Sequence, residues 1–323
     1  MKNWLLDFTI QPSSEKINYN NRILFVGSCF SESIANLMKE ACFPVLVNPH
    51  GIMYDPQSLV RSIESYIEDI HIKEEDIFEF DGLFHSWDHH SVFSGSDRKK
   101  VLEEINNSTS GAHTFLKTAD WIIITPGSSW YYQLISGRTV ANCHKFPSAH
   151  FKKSISDTEN IKKSFSKIIK KLKLFNPAIK ILFTISPVRH IKDGLIENNI
   201  SKARLIEAVH SIIKDHDNSY YFPSYELMID VLRDYRFCKP DKVHPSNEAV
   251  EYIFERFLET YLDAKNIKIY NDIIKWRSLL KHKPLKPGSE NHRKFLDKIR
   301  SETSYIKEKY PFIDFSDELS LQL

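Results

Sequence analysis

The 323-residue sequence has no long apolar run, no paired cysteines and almost no net charge, and each absence removes a class of protein. No stretch approaches the roughly 18 consecutive apolar residues a membrane helix needs, so no membrane span is expected. The opening Met1-Lys-Asn-Trp-Leu-Leu-Asp-Phe8 lacks the apolar core of a secretory signal. Four cysteines, at 29, 42, 143 and 238, are too few and too scattered for a disulfide framework, and none sits in a Cys-x-x-Cys pair. A reduced, cytoplasmic protein is the expectation. The 44 basic and 42 acidic residues leave a net charge of +2, which recommends neither nucleic acid nor a membrane surface as a partner. Repeats and low-complexity tracts are also missing. At 41% hydrophobic and 27% charged residues, the chain reads as an ordinary globular protein with ample length for a core.

What is there is a run of short apolar segments, each ending in small or reactive residues. Ile23-Leu-Phe-Val26 reads as a strand buried on both faces. It stops at Gly27-Ser28-Cys29, and a helix pattern opens at once with Phe30, Ile34, Ala35, Leu37 and Met38. Phe43 to Val47 is a second strand, followed by a loop through Gly51. Helices are expected over 57–70, 99–118, 157–175, 200–214, 226–235 and 246–263, and strands over 121–125, 179–185 and 220–222. Residues 131–145 read as a hairpin turning at Ser136-Gly137, and Asp81 to Ser91 as an extended or looped, histidine-rich stretch. The lysine-rich face of 157–175 reads as solvated. Strands alternating with helices at this spacing predict an α/β fold with a mostly parallel sheet. Residues 1–264 form the expected catalytic domain. Residues 265–323 form a Lys-rich helical extension broken at Lys283-Pro-Leu-Lys-Pro287.

The reactive side chains fall just past the strands. In a parallel sheet the carboxyl ends share one edge, so residues remote in sequence converge there. Asp241-x-x-His244 sets a carboxylate one turn from an imidazole, where it can accept from Nδ1–H and leave Nε2 facing a nucleophile. A thiol or hydroxyl at a strand-to-helix turn gains from the N–H groups and dipole of the helix N-terminus. His85 and His89 at i,i+4, with Asp88 and His90, leave three roles open in this order: a hydrogen-bonding pocket wall, a buried structural network, or a metal site. Arg189 and His190 read as substrate-orienting or bracing groups. Arg233, Asp234 and Arg236 read as an internal ion-pair network, and Trp87, Trp130, Tyr131 and Tyr132 either line a sugar groove or pack.

Several of these stretches together resemble one family. Gly27-Ser-Cys-Phe-Ser31 looks like the GSCFA signature. Asn48 to Pro56, His85 to Ser91, Thr139 to Lys145, Ser186 to His190, Pro223 to Phe237 and Asp241 to Ser246 resemble the rest of its pattern, over roughly residues 3–258. The family is grouped with the SGNH (GDSL-like) hydrolases. The resemblance implies a three-layer α/β/α sandwich with a five-stranded sheet in flavodoxin-like order, carrying hairpin insertions. The wider superfamily holds esterases, carbohydrate deacetylases and O-acyltransferases. In register with its Gly-Asp-Ser block, Cys29 takes the nucleophile position, with Ser28 second if the turn shifts by one. Asp241 and His244 match the Asp-x-x-His block unchanged. Gly51 matches the glycine whose N–H helps form the oxyanion hole. The block that normally supplies an Asn reads Pro126-Gly-Ser-Ser-Trp130, so Ser128 stands in its place, with Asn142 or His144 as substitute donors. The resemblance implies an ester hydrolase acting on an acylated carbohydrate or other small ester, without metal or cofactor. The alternatives are an O-acyltransferase fed by an acyl-thioester donor, and a non-catalytic glycan-binding protein on a retained hydrolase fold. The oligomeric state is left open.

Overall fold

The structure is a computed structural model describing residues 6–281 and 289–315. The break expected at Lys283-Pro-Leu-Lys-Pro287 lies outside the described residues. The first strand, β1 (Ile23–Gly27), is buried at every position, as a strand covered on both faces must be. Then come α1 (Cys29–Glu40), β2 (Val45–Val47) and α2 (Pro56–Glu68). Asp55 caps α2 by accepting the Ser58 N–H at 2.9 Å, with Pro56 at the first helical position, where its missing N–H costs nothing. The chain continues through β3 (Ile77–Phe80), β4 (Leu83–Ser86), α3 (Arg98–Lys117), β5 (Trp121–Thr125), β6 (Trp130–Leu134), β7 (Thr139–Val140) and β8 (Phe151–Ile155). It ends with α4 (Thr158–Phe175), β9 (Lys180–Phe183), α5 (Leu195–Asp215), β10 (Ser219–Tyr221), α6 (Ser224–Glu226), α7 (Asn247–Tyr261), α8 (Ala264–Leu280) and α9 (Glu290–Lys309).

The central sheet has five strands in the order β10-β9-β5-β1-β2, all parallel. This is the α/β architecture and flavodoxin-like order expected. Alternate strand residues Leu24, Val26, Ile122, Ile124, Ile181 and Phe183 turn to one face. There they meet Leu59 and Ile63 of α2, Phe165 and Ile169 of α4, and Leu205 and Val209 of α5, all fully or almost fully buried. Each such side chain contributes about 1.5–3 kcal/mol of burial, and the sum holds the carboxyl ends of β1, β5 and β9 in one row.

Two small sheets are inserted. The 131–145 hairpin is present as β6 and β7, with Gly137 at φ 93° in its turn. Its other edge pairs with β8, Trp130 opposite Ile155, a strand whose lysines hid it from the apolar pattern. The 81–91 stretch, expected to be extended or looped, begins as the second strand of the β3–β4 hairpin. That hairpin turns at Asp81-Gly82, both at positive φ, as a tight two-residue turn requires. The helix expected over 226–235 is shorter. Three residues of α6 run into a π turn over Leu227–Val231.

The described residues divide into two compact units: 6–8 with Arg22–Ala35 and Val45–Ile253, and Thr9–Asn21 with Asn36–Pro44 and the described residues from Phe254 onward. Within the second, Tyr19 stacks on Phe43 at 4.0 Å, and Trp276 of α8 donates its indole N–H to Thr303 of α9 at 3.0 Å. Among the described residues no helix is long and apolar enough to cross a membrane.

Candidate active site

The site begins where β1 becomes α1. Gly27 sits at φ 153°, and a Cβ there would lie 2.4 Å from the Thr125 carbonyl oxygen on β5. Only glycine lets the two strand ends run this close. Its N–H donates to the Asn48 side chain at 2.8 Å, and the Ser28 N–H to the Thr125 carbonyl at 3.1 Å. These bonds end the strand and start the helix at the next residue, Cys29. The two candidate nucleophiles then part company. Ser28 is 1% exposed, and its hydroxyl has no partner among the described residues. Cys29 is half-buried and lines a cleft of about 870 Å³.

His244 lines the same cleft. Its Nδ1 is 2.7 Å from Asp241 Oδ2. The other carboxylate oxygen, Oδ1, accepts the Val243 and His244 N–H groups at 2.9 and 3.0 Å. Those bonds hold the Asp241 carboxyl down at about 2, the backbone N–H groups being the largest cause. An ionised acceptor places the proton on Nδ1 and leaves the Nε2 lone pair free. The loop is closed by bonds from Lys239 N–H to the His244 carbonyl at 2.8 Å and Ser246 N–H to the Phe237 carbonyl at 2.7 Å. The imidazole is therefore fixed by its carboxylate and by its own backbone. No hydrogen bond joins His244 to Cys29 among the described residues. Burial pushes the Cys29 thiol up, against the N–H groups of Phe30 and Cys29 itself, which pull it down. A thiol at rest here calls for a base to draw off its proton.

The residues expected to donate to an oxyanion are placed unequally with respect to the cleft. Gly51 already donates its N–H to the Asn48 carbonyl at 2.7 Å. Its need for glycine is steric, since a Cβ would lie 2.2 Å from the His90 Cβ, with φ at 80°. The next residue, Ile52, lines the cleft, and its N–H has no acceptor among the described residues. The Ser128 hydroxyl lines the cleft but accepts the Trp130 N–H at 3.1 Å and lies 3.3 Å from the Ser201 hydroxyl. Asn142 lines the cleft with its side-chain oxygen accepting the His144 N–H at 2.8 Å. Its amide N–H groups have no acceptor among the described residues. His144 cannot serve as a donor here: it is buried, and its Nε2–H donates to the Ser86 carbonyl at 2.8 Å.

Of the histidine-rich stretch, only His90 reaches the cleft. His85 is held between the Ser94 hydroxyl and the Phe80 carbonyl at 2.7 and 3.1 Å. His89 is buried, bonded to Ser86 Oγ at 2.8 Å and packed on the His50 ring at 4.3 Å. Asp88 pairs with Arg138 at 2.5 Å and Arg61 at 3.1 Å. None of these three lines the cleft; the contacts of His85 and Asp88 lie within the fold, while the buried His89 Nε2 has no hydrogen-bond partner among the described residues. Among the described residues no group of three His, Cys, Asp or Glu side chains is placed to hold a metal ion. Trp87 stacks on Phe78 at 3.7 Å instead of lining a groove, while Trp130, Tyr131 and Tyr132 do line the cleft. Arg189 and His190 line it too. Arg233, Asp234 and Arg236 are exposed, with one Arg236–Asp234 pair at 3.3 Å, so the internal network expected there is a surface feature.

Lys202 was missed. It lies on α5, 1% exposed, and its ammonium donates to the Gly127 and Ser186 carbonyls at 2.6 Å each. Both acceptors line the cleft, at the ends of β5 and β9. Burial pushes this lysine down to about 7, while the two carbonyls favour its charged form. A signal was available: Asn198, Ser201 and Lys202 continue the buried stripe of Leu205, Val209 and Ile212 at helical spacing.

No curated protein matches the chain. A solved structure, a carbohydrate esterase family 3 protein from Talaromyces cellulolyticus, is similar at 8% identity and a TM-score of 0.37, covering 78% of this chain and 99% of that one. The family model of the GSCFA family matches residues 22–257, and that of the GSCFA domain protein C-terminal domain matches residues 276–321. The chain belongs to the GSCFA family.

Proposed function

We propose that the cleft catalyses acyl transfer from an ester by a Cys29–His244–Asp241 route, with water or a hydroxyl as acceptor. The observation that carries this is the His244 imidazole, locked by Asp241 at 2.7 Å with Nε2 free, in the same cleft as Cys29 at a helix N-terminus. His244 Nε2 takes the proton as Cys29 Sγ bonds to the ester carbonyl carbon. The tetrahedral oxyanion is met by the Ile52 N–H, the first N–H groups of α1 and the Asn142 amide. Collapse breaks the bond to the ester oxygen, which leaves with the His244 proton, and a thioester on Cys29 remains. The incoming hydroxyl gives its proton to His244, attacks that thioester and regenerates the thiol. No cofactor enters.

An acylated carbohydrate is the substrate class we favour, because Trp130, Tyr131 and Tyr132 line the cleft beside polar groups. No disulfide joins the four cysteines, which fits a reducing, cytoplasmic setting. The test is hydrolysis of short-chain p-nitrophenyl esters by wild type and by Cys29→Ala, Ser28→Ala and His244→Ala proteins, each checked for folding. Loss with Cys29→Ala and His244→Ala but not Ser28→Ala is expected. Full turnover by Cys29→Ala would sink the mechanism. Glycan binding without turnover in every protein, wild type included, would favour the non-catalytic alternative.

A further inference from the structure

The whole chain is close to electrical neutrality, yet the cleft is not. Among its lining residues are Lys145, Lys153, Arg189 and Lys192, against a single carboxylate, Asp55. Asp55 is fully buried, already accepts the Ser58 N–H as the cap of α2, and has its carboxyl pushed up by burial. Among the described residues Lys153 alone of these cations is neutralised, by Asp193, which also lies 3.3 Å from His190. Lys145, Arg189 and Lys192 have no carboxylate partner among the described residues. Among the described residues the Arg189 guanidinium makes one polar contact, to the Tyr235 hydroxyl at 3.4 Å.

More positive charge stands behind the wall. Lys202 is buried against the Gly127 and Ser186 carbonyls, and the N-terminus of α1 opens at Cys29 with its partial positive charge. The neighbours feel this field. Lys153, Lys202 and Lys192 each push the His190 imidazole down, in addition to burial, and Lys192 and Lys153 pull the Cys143 thiol down against its burial. Glu32, in the first turn of α1, acts on the Cys29 thiol in the opposite sense and raises it, while Lys239 lowers it. A low-dielectric cleft lined with unpaired charge of one sign concentrates ligands of the other. Leaving three cations beside a reactive centre without counter-ions is stable only because water solvates them, and a ligand anion replaces that water with charge-assisted bonds.

We infer that the ligand of this cleft carries an anionic group, a carboxylate or a phosphate, seated by Arg189 and Lys192 while its acyl group lies toward Cys29. This rests on the proposed acyl chemistry for the position of the acyl group but not for the preference for negative charge. Two sources fit the shared chemistry: the uronate of an acidic glycan, or the phosphates of a nucleotide-type acyl thioester donor.

The test measures binding to the Cys29→Ala protein by calorimetry, which needs no turnover. In one arm an acetylated glucuronate-containing oligosaccharide is compared with its neutral glucose counterpart. In the other, acetyl-coenzyme A is compared with the phosphate-free acetyl-N-acetylcysteamine. In at least one arm the anionic member should bind about ten-fold or more tightly at 20 mM salt. That preference should shrink at 300 mM salt and be lost in an Arg189→Gln/Lys192→Gln double variant. The responding arm identifies the source. Equal binding within both pairs, or a preference that survives the double variant, would overturn the inference. Separately, turnover of neutral p-nitrophenyl acetate by wild type reports on the acyl chemistry, so either idea can fail without the other.

Discussion

The ammonium of Lys202 lies 2.6 Å from the carbonyl oxygen of Gly127, and this bond ties α5 to the end of β5. A second, of equal length, runs to Ser186 at the end of β9. One side chain thus satisfies two buried carbonyls that the sheet has run out of partners for. Lys202→Met should leave both oxygens unpaired and lower unfolding free energy by about 2–4 kcal/mol, read from urea midpoints. A variant as stable as wild type would mean that water enters to replace the ammonium.

Asp241→Asn keeps the size of the side chain but not its charge. With the acceptor neutral, the Nδ1–H tautomer of His244 is no longer enforced. Turnover should fall by about 10²–10⁴ with little change in KM. An unchanged kcat would show that Asp241 serves only to shape its loop.

Gly27→Ala tests the turn itself. Its Cβ would meet the Thr125 carbonyl at 2.4 Å from a φ of 153°, so strand ends must separate. A loss of about 3 kcal/mol or more is expected, with the Cys29 region distorted. Gly82→Ala is the contrasting substitution, because nothing lies within 4 Å of its Cβ position, though φ is 71°. Its cost should be confined to backbone strain of about 1–2 kcal/mol. Thermal melts of the two proteins decide the ranking.

The buried histidines predict acid sensitivity. Burial lowers both His89 and His144 to about 4, below the unfolded value near 6.5. Above about pH 6.5 both are neutral folded and unfolded, and they contribute no pH dependence. Between 6.5 and 4 the unfolded chain takes up protons that the native state refuses, so stability falls as pH falls. On the order of 2–4 kcal/mol should be lost by pH 5 for the two together. Urea midpoints at pH 7.5 and 5.0, in wild type and in His89→Gln, measure it. A flat profile would contradict the neutral, buried state.

Because burial raises the Cys29 thiol, its alkylation by iodoacetamide, mapped by peptide mass, should be slow at pH 7 and accelerate toward pH 9 and above. A rate that stays flat down to pH 6 would instead reveal a thiolate paired with protonated His244.

The sheet was legible because fully buried parallel strands are short apolar runs, and Ile23-Leu-Phe-Val26 and Trp121-Ile-Ile-Ile-Thr125 announce themselves. The lateral strand β8 was not, since Phe151-Lys-Lys-Ser-Ile155 is half-exposed and its pairing with β6 is a tertiary fact. Asp241 and His244 were legible together because three residues in one turn fix their mutual geometry before the chain folds. Gly51 was matched only through the family resemblance, whereas its steric need for glycine lies in His90, 39 positions away. Local order, short-range pairs and strand-end positions are set by covalent proximity and periodicity, so the sequence alone determined them. Which polar groups face the cleft depends on where distant elements pack. Only the tertiary structure therefore decided that Ser28 is buried beside an open Cys29, that His85 and His89 lie outside the cleft lining, and that a lysine on α5 supports the cleft from behind.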